Sequence, residues 1–451
     1  MTSLGKWLRV GILGAALALP QAAWADSLAD ALIAAYRNSN ILEQNRAVLR
    51  AADEDVAIAV ASLRPVLAFR VGGVYSHTKY TEGLTNTVSL LAEMTLYDFG
   101  RNKATIAARK SAVLAARQSL VSYEQDVLLA AVTAYVGLQQ AQDTVALRQS
   151  NLRLISQELQ AARDRFEVGE ITRTDVAIAD SRLAASQSEL AAAQGDLTVA
   201  RENYKLAIGK LPGRLQRLPA MPRTASSLDE AKSVAIRMHP LVRQLQHEVA
   251  TAEAGIVLAK ANMGPTLSGN IAASDNNVDT DSFSASVTLN QTIYAGGSFS
   301  ALYRQSLARR DTARAQLHQS TAQVVQAVAA AWSNIEVARA SIAASERQIR
   351  SAQTAYEGVK EEARLGSRTT LDVLDAEQEL LSARTSRLTA QSNYSIGVYT
   401  LLSRMGLLTV DHLKLGIPTY DPEAYYNAVK SAPATSSQGK RLDRILKSIG
   451  N

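Results

Sequence analysis

From Pro65 onward the chain alternates between apolar and polar positions. Leu67, Phe69, Val71 and Tyr75 fall on one face of an extended strand, with Ala68, Arg70, Gly72 and Ser76 on the other. After a polar turn near Thr78 to Asn86, Leu90, Ala92, Met94 and Leu96 alternate with Glu93 and Thr95. Later Ala285, Val287, Leu289 and Ile293 are interleaved with Ser284, Ser286, Thr288, Asn290 and Thr292. A period of two with one apolar face predicts half-buried strands. They fall at about 66–97 and 266–294, long enough to cross a bilayer when tilted. A hairpin at the edge of a soluble sheet would alternate in the same way, but nothing else in the chain could cover such a sheet.

After each strand pair the period changes to that of a helix. Arg101 to Glu167 holds no proline and one glycine, Gly137, and Ser300 to Leu365 again no proline and one glycine, Gly358. Each segment is a rod on the order of 100 Å at about 1.5 Å per residue. Val113, Ala116, Leu120, Tyr123, Val127, Ala130 and Ala134 recur at heptad spacing. Val324, Ala327, Ala331, Ile335, Ala338, Ile342 and Ile349 form the second stripe. Both rods turn and return, which predicts helical hairpins over about 101–208 and 299–405, with tips near 167–175 and 364–372. Shorter helical pieces, about Leu28 to Ser62 and Leu228 to Ala261, precede the strands. Rods of this length bury their stripes only by coiled-coil pairing and lateral packing.

The chain therefore reads twice. Ser27-Leu28-Ala29-Asp30-Ala31 recurs as Ser227-Leu228-Asp229-Glu230-Ala231, and Arg64-Pro65 as Gly264-Pro265. Further on, Tyr97-Asp98-Phe99-Gly100 corresponds to Tyr294-Ala295-Gly296-Gly297. Val168-Gly169 corresponds to Leu365-Gly366, and Thr172, Asp175 and Val176 to Thr369, Asp372 and Val373. The division is a first repeat at 26–211, a linker at 212–226 marked by Pro212, Pro219 and Pro222, a second repeat at 227–408, and a tail at 409–451.

Composition narrows the class. Apolar residues make up 47% but aromatics only 5%, which favours close-packed, alanine-rich helices over a thick globular core. Residues 1–25 read as a cleaved signal peptide: Lys6 and Arg9, an apolar stretch from Val10 to Leu19, then Ala23-Trp24-Ala25 before Asp26. Loss of Lys6 and Arg9 lowers the formal charge from +6 to +4, which predicts no nucleic-acid partner. With no cysteine there is neither a disulfide framework nor a lipid-anchor site, so membrane attachment falls to the strands. Two hairpins cannot close a barrel, and open edges cannot stand in lipid. Two chains would give a filled barrel. Three are the economical way to leave a lumen, and four remain open on this argument.

These features carry a resemblance over nearly all of the mature chain. Leu96-Tyr97-Asp98-Phe99-Gly100, Tyr294-Ala295-Gly296-Gly297 and Thr133-Ala134-Tyr135 carry part of it. The hairpin turns carry the rest: Arg165-Phe166-Glu167-Val168-Gly169 with Thr174-Asp175-Val176, and Leu365-Gly366-Ser367-Arg368-Thr369 with Asp372-Val373-Leu374-Asp375. The chain resembles the TolC family of outer-membrane efflux and type I secretion channels. The resemblance implies a homotrimer with a twelve-stranded barrel in outer-membrane lipid and an α-helical tunnel through the periplasm. It also implies docking to a periplasmic adaptor and an inner-membrane ABC or proton-driven transporter, with no cofactor and no catalysis. A periplasmic coiled-coil scaffold without a pore is the alternative.

At the tips, Gly169 and Gly366 suit left-handed helix ends. Thr172 with Asp175, and Thr369 with Asp372, suit N-terminal capping of the returning helices. The repeat then discriminates, because Asp375 corresponds to Ile178, Arg368 to Ile171 and Thr174 to Leu371. Polar groups present in one copy only are not required by the common fold. By resemblance, Asp372 and Asp375 would form two acidic rings that attract cations, and Arg368 would tie its hairpin to Thr174 and Asp175 on the neighbouring one. Relatives with this gate often carry tyrosine where this chain has Ala363, so either the tip is looser or pairs such as Arg364 and Glu362 substitute.

Other chemistry is sparse. The five histidines (His77, His239, His247, His318 and His412) show no metal-ligand spacing, and there is no phosphate loop or nucleophile elbow. Tyr75, Tyr80, Tyr97 and Tyr294 are candidates for interfacial girdles. The tail, with a weakly ordered stretch at Ser431 to Lys440 and a basic piece at Arg441 to Lys447, either wraps the helical barrel or stays disordered.

Overall fold

The computed structural model describes residues 26–77, 79, 82–277, 281–432, 444 and 448. The expected signal peptide, Tyr80 and most of the far C-terminal tail lie outside the described residues.

Four strands form one antiparallel sheet in chain order: β1 (Val66–His77), β2 (Glu82–Tyr97), β3 (Thr266–Asn276) and β4 (Ser282–Asn290). The register aligns the apolar positions across the two repeats. Leu67 faces Ala92, which faces Ile271, which faces Ala285, and Phe69, Leu90, Ala273 and Phe283 make the next row. The other face carries Arg70, Ser89, Ser274 and Ser282 in one row and Glu93, Asn270 and Ser286 in another. β4 ends at Asn290, short of the expected 294. Beyond it Gln291 turns its amide to the Met263 carbonyl at 3.0 Å, and Ile293 and Tyr294 project from a loop.

The helical part consists of α1 (Leu28–Asn38), α2 (Asn40–Ala61), α3 (Arg101–Glu167), α4 (Arg173–Ile208), α5 (Leu228–Met238), α6 (Pro240–Ala261), α7 (Ser298–Arg364), α8 (Thr370–Arg404) and α9 (Pro422–Val429). Both rods, α3 and α7, run 67 residues. α3 packs on α4 and α7 on α8, while α6 lies along both α3 and α7.

The short helical pieces are each broken once. Ser39 accepts from the Leu42 N–H at 3.3 Å and caps α2, and His239 Nδ1 accepts from the Leu241 N–H at 3.2 Å and caps α6. Pro240 occupies the first turn of α6, where a missing N–H costs nothing. Gly406 turns left-handed at φ +78° beside this break, its Cα facing the His239 backbone.

The strand-to-helix passage of the first repeat is a built joint. Phe99 takes a left-handed φ of 55°, and Gly264 leaves the space its ring needs. Asp98 accepts from the N–H groups of Gly100 and Asn102 at 3.0 and 2.6 Å and caps α3. Arg101 reaches into the second repeat, donating to the carbonyls of Ala261 (3.2 Å) and Gly264 (2.7 Å) and to Thr266 Oγ1 (2.6 Å). Its counterpart in the second repeat is Ser298, so this clasp exists once per chain.

The main core sits midway along the rods, where Tyr135, Leu128, Leu138, Tyr204 and Ile208 are fully buried with α1. Tyr135 donates to the carbonyls of Asp26 (2.9 Å) and Gln216 (2.8 Å), and the Asp26 carboxylate takes Lys210 and the Gly213 N–H. The linker is thereby pinned to the start of the described chain. Part of the tail is ordered: α9 lies on α2, the Tyr420 N–H donates to Tyr36 Oη at 3.2 Å, and Tyr425 donates to Glu54 at 2.8 Å.

Candidate functional site

The two hairpin tips lie side by side, with a shallow groove between them lined by Arg165, Glu170, Asp175, Arg364, Arg368 and Thr369. Each long rod ends on a left-handed glycine, Gly169 at φ +79° and Gly366 at φ +81°. Their turns close the same way, with the Glu170 N–H on the Arg165 carbonyl at 2.9 Å and the Ser367 N–H on the Glu362 carbonyl at 3.0 Å. No atom would obstruct a Cβ at either glycine, so backbone conformation alone requires it there.

Both returning helices begin with a reciprocal box. Thr172 Oγ1 accepts from the Asp175 N–H at 3.3 Å, and Asp175 Oδ2 accepts from the Thr172 N–H at 2.9 Å. Thr369 and Asp372 repeat this at 3.2 and 2.9 Å. Accepting the threonine N–H holds both carboxyls below the usual aspartate range. Asp372 is therefore a cap as well as a candidate pore group.

The groups present in one copy only behave differently. Within one protomer Arg368 Nε donates to Glu362 Oε2 at 2.9 Å, not to Thr174 or Asp175. The left-handed turn at Gly366 carries Arg368 back over the end of α7, where Glu362 waits. Thr174 is exposed on the first turn of α4. Asp375 accepts from Arg182 Nη2 of α4 at 2.8 Å, a partner that the spacing of the sequence gave no means of finding. Ala363 is buried with Tyr356, Val373 and Leu380, and Arg364 pairs with Glu361 rather than with Glu362.

Away from the tips, the sheet is open. Leu67, Phe69, Val71, Leu90, Ile271, Phe283, Val287 and Leu289 share one face and all are exposed in the single chain. No helix among the described residues is long and apolar enough to cross a membrane.

Similarity to known proteins agrees with this division. The sequence model of the outer membrane efflux protein family matches residues 32–210 and 233–407, one match for each repeat. The outer membrane efflux protein BepC of Brucella suis is 34% identical over 420 residues, covering 91% of this chain and 92% of BepC. The alkaline protease secretion protein AprF of Pseudomonas aeruginosa is 24% identical over 360 residues, covering 76% of this chain and 74% of AprF. Among solved structures, CusC superposes with a TM-score of 0.78 at 19% identity, over 84% of this chain and 92% of CusC. Two tandem strand-and-helix hairpins, an uncovered apolar sheet face and a family match on both repeats lead to one conclusion: the chain belongs to the outer membrane efflux protein family, the channels of TolC type.

Proposed function

We propose that three copies of this chain close into a twelve-stranded barrel and a helical tunnel, forming a gated passive duct out of the cell. The observation that carries this reading is the sheet. Its apolar rows run unbroken across four strands, and nothing among the described residues of its own chain covers them. β1 and β4 are free edges, which lipid does not tolerate, so the edge of one copy pairs with that of the next. A groove along α3 and α4 includes the small residues Ala130, Ala134, Gly137 and Ala141 in its lining, where a helix of the next copy can pack.

On this reading residues 1–25 direct export and are removed, and the long rods stand in the periplasm with their tips toward the inner membrane. There the tips meet a periplasmic adaptor and an ABC or proton-driven transporter, which supplies the energy. Asp372 and Asp375, three of each around the axis, act as a cation-attracting constriction, with Arg368, Thr174 and Asp175 at the contacts between hairpins. BepC is named for efflux and AprF for protease secretion, and efflux or protein secretion is the duty this duct would serve.

Membrane fractionation with heat-modifiable migration in SDS tests the duct. A trimer band from outer membranes that collapses on boiling, with ion-conducting pores in planar bilayers, is expected. A soluble monomer would overturn it in favour of a coiled-coil scaffold.

A further inference from the structure

Glu377 lies on α8 a little beyond Asp375, and it is the most buried carboxylate near the tips at 3% exposure. Neither of its oxygens has a hydrogen-bond partner. The repeat shows what is missing. At the 197-residue offset Glu377 corresponds to Asp180 and Lys360 to Arg163. In the first copy Arg163 of α3 bonds Asp180 of α4 at 3.4 Å, a pair inside one hairpin. In the second copy the equivalent pair is broken. Lys360 of α7 instead crosses to Glu158 of α3 at 2.5 Å, with Tyr356 Oη at 3.3 Å on its other side. Glu158 itself exists only in the first copy, since its counterpart is Ala355.

One lysine thus stands between two carboxylates, one in its own hairpin and one in the other. We propose that Lys360 is a proton-controlled cross-brace: with Glu377 protonated it ties α7 to Glu158 of α3, and with Glu377 ionised it returns to Glu377 and releases the seam between the hairpins. A neutral carboxyl can remain buried without a partner, at the cost of its unmade bonds. An ionised one cannot, and the cation whose charge acts on it is Lys360. The proton lost by Glu377 passes to bulk water.

Around Glu377 the charged and titratable groups are Glu158 from α3, and Tyr356 and Lys360 from α7. Arg182 of α4 is occupied by Asp375. Burial first, then the Glu158 charge, push the Glu377 carboxyl up to about 7, against a smaller opposing pull from Lys360. The sign follows. In a released seam Glu377 gains Lys360 and its carboxyl falls back from about 7 toward the ordinary carboxylate range, so ionisation favours release. The brace is strongest in acid, weakens as pH rises from about 5, and is weakest above about 7.

The absence of cysteine allows clean labelling. Nitroxides at Gln157→Cys on α3 and Thr354→Cys on α7, both exposed helix positions, report the seam by pulsed electron paramagnetic resonance. Labelled chains are diluted into unlabelled ones so that the distance within one chain dominates. The distribution is expected to lengthen and broaden between pH 5.5 and pH 8. Glu377→Gln, which mimics the protonated acid, is expected to keep the short distance at both pH values. Lys360→Met is expected to give the long one at both. A shift of the same size in Glu377→Gln, or none in the unsubstituted chain, would overturn the brace. The distance is read without conduction, so this outcome is independent of whether Asp372 and Asp375 line a pore.

Discussion

Asp375 of α8 accepts a hydrogen bond from Arg182 of α4 at 2.8 Å, joining the two hairpins of one chain close to their tips. The aspartate that helix capping could not account for therefore has a structural partner, and two roles compete for it. Both side chains are about half exposed, and a pair of this kind contributes roughly 0.2–1 kcal/mol.

That difference in scale separates the roles. Asp372→Ala with Asp375→Ala is expected to abolish block of the pore by divalent cations in planar bilayers. Arg182→Ala is expected to leave block intact and to change stability by no more than about 1 kcal/mol. Loss of block in Arg182→Ala as well would assign Asp375 to the seam and not to the lumen.

The glycines divide in the same way. Alanine at Gly169 or Gly366 meets no obstacle, so each substitution should cost only the left-handed backbone penalty of about 1–2 kcal/mol. At Gly406 a Cβ would lie 2.7 Å from His239 Cα and 2.8 Å from the Met238 carbonyl oxygen, which are backbone atoms that cannot swing aside. Gly406→Ala should therefore unfold at a distinctly lower temperature than either tip variant, as differential scanning calorimetry would read.

His239 gives an acid limb to stability. Burial, with a smaller push from Arg404, holds its imidazole down at about 4 against an ordinary 6.5. The folded chain thus binds fewer protons than the unfolded one, and stability is complete above pH 6.5 and falls as pH drops toward 4. At full extent the loss is about 3 kcal/mol. His239→Asn keeps a capping acceptor for Leu241 without a titrating ring, so its melting temperature should fall less between pH 7 and pH 4.5.

Asp53 acts in the opposite sense. It is wholly buried on α2 beneath the ordered tail, its oxygens lack partners, and burial pushes its carboxyl up to about 6 despite the attraction of Arg117. The penalty is absent below pH 4, grows to pH 6 and is complete above it. Asp53→Asn should raise stability at pH 7 by up to about 3 kcal/mol and not at pH 4. Slower chymotryptic cleavage near Tyr425 at pH 7 alone would register it, and equal protection at both pH values would refute it.

How much of this was legible beforehand depended on whether a residue's partner is local. Alternation placed Leu67, Phe69 and Leu90 on one face because a strand's period needs no distant information, and Thr-x-x-Asp read as a cap because both groups lie in one turn. The breaks at Ser39 and at His239-Pro240 had local signals too, which the longer helical stripe obscured. Arg101, Arg182 and Tyr425 were opaque for a different reason. Their partners, Gly264, Asp375 and Glu54, are far away in the chain and are brought near only by the packing of whole helices. The bond of Arg368 to Glu362 within one chain was opaque too, because the geometry of the left-handed turn, not the spacing, decides where its side chain points there.

The pairing of β2 with β3 has a kinetic consequence. Asn86 and Asn277 meet across it although almost two hundred residues separate them, a distance that ordinarily slows folding by the entropy of closing the loop. Here the intervening chain closes most of that loop by itself. α3 and α4 zip outward and back as a local hairpin, and α6, lying along α3, delivers β3 to the side of β2. Once those helices have formed, the remaining gap is short, so the junction of the two repeats should assemble at the pace of a local contact, late but fast.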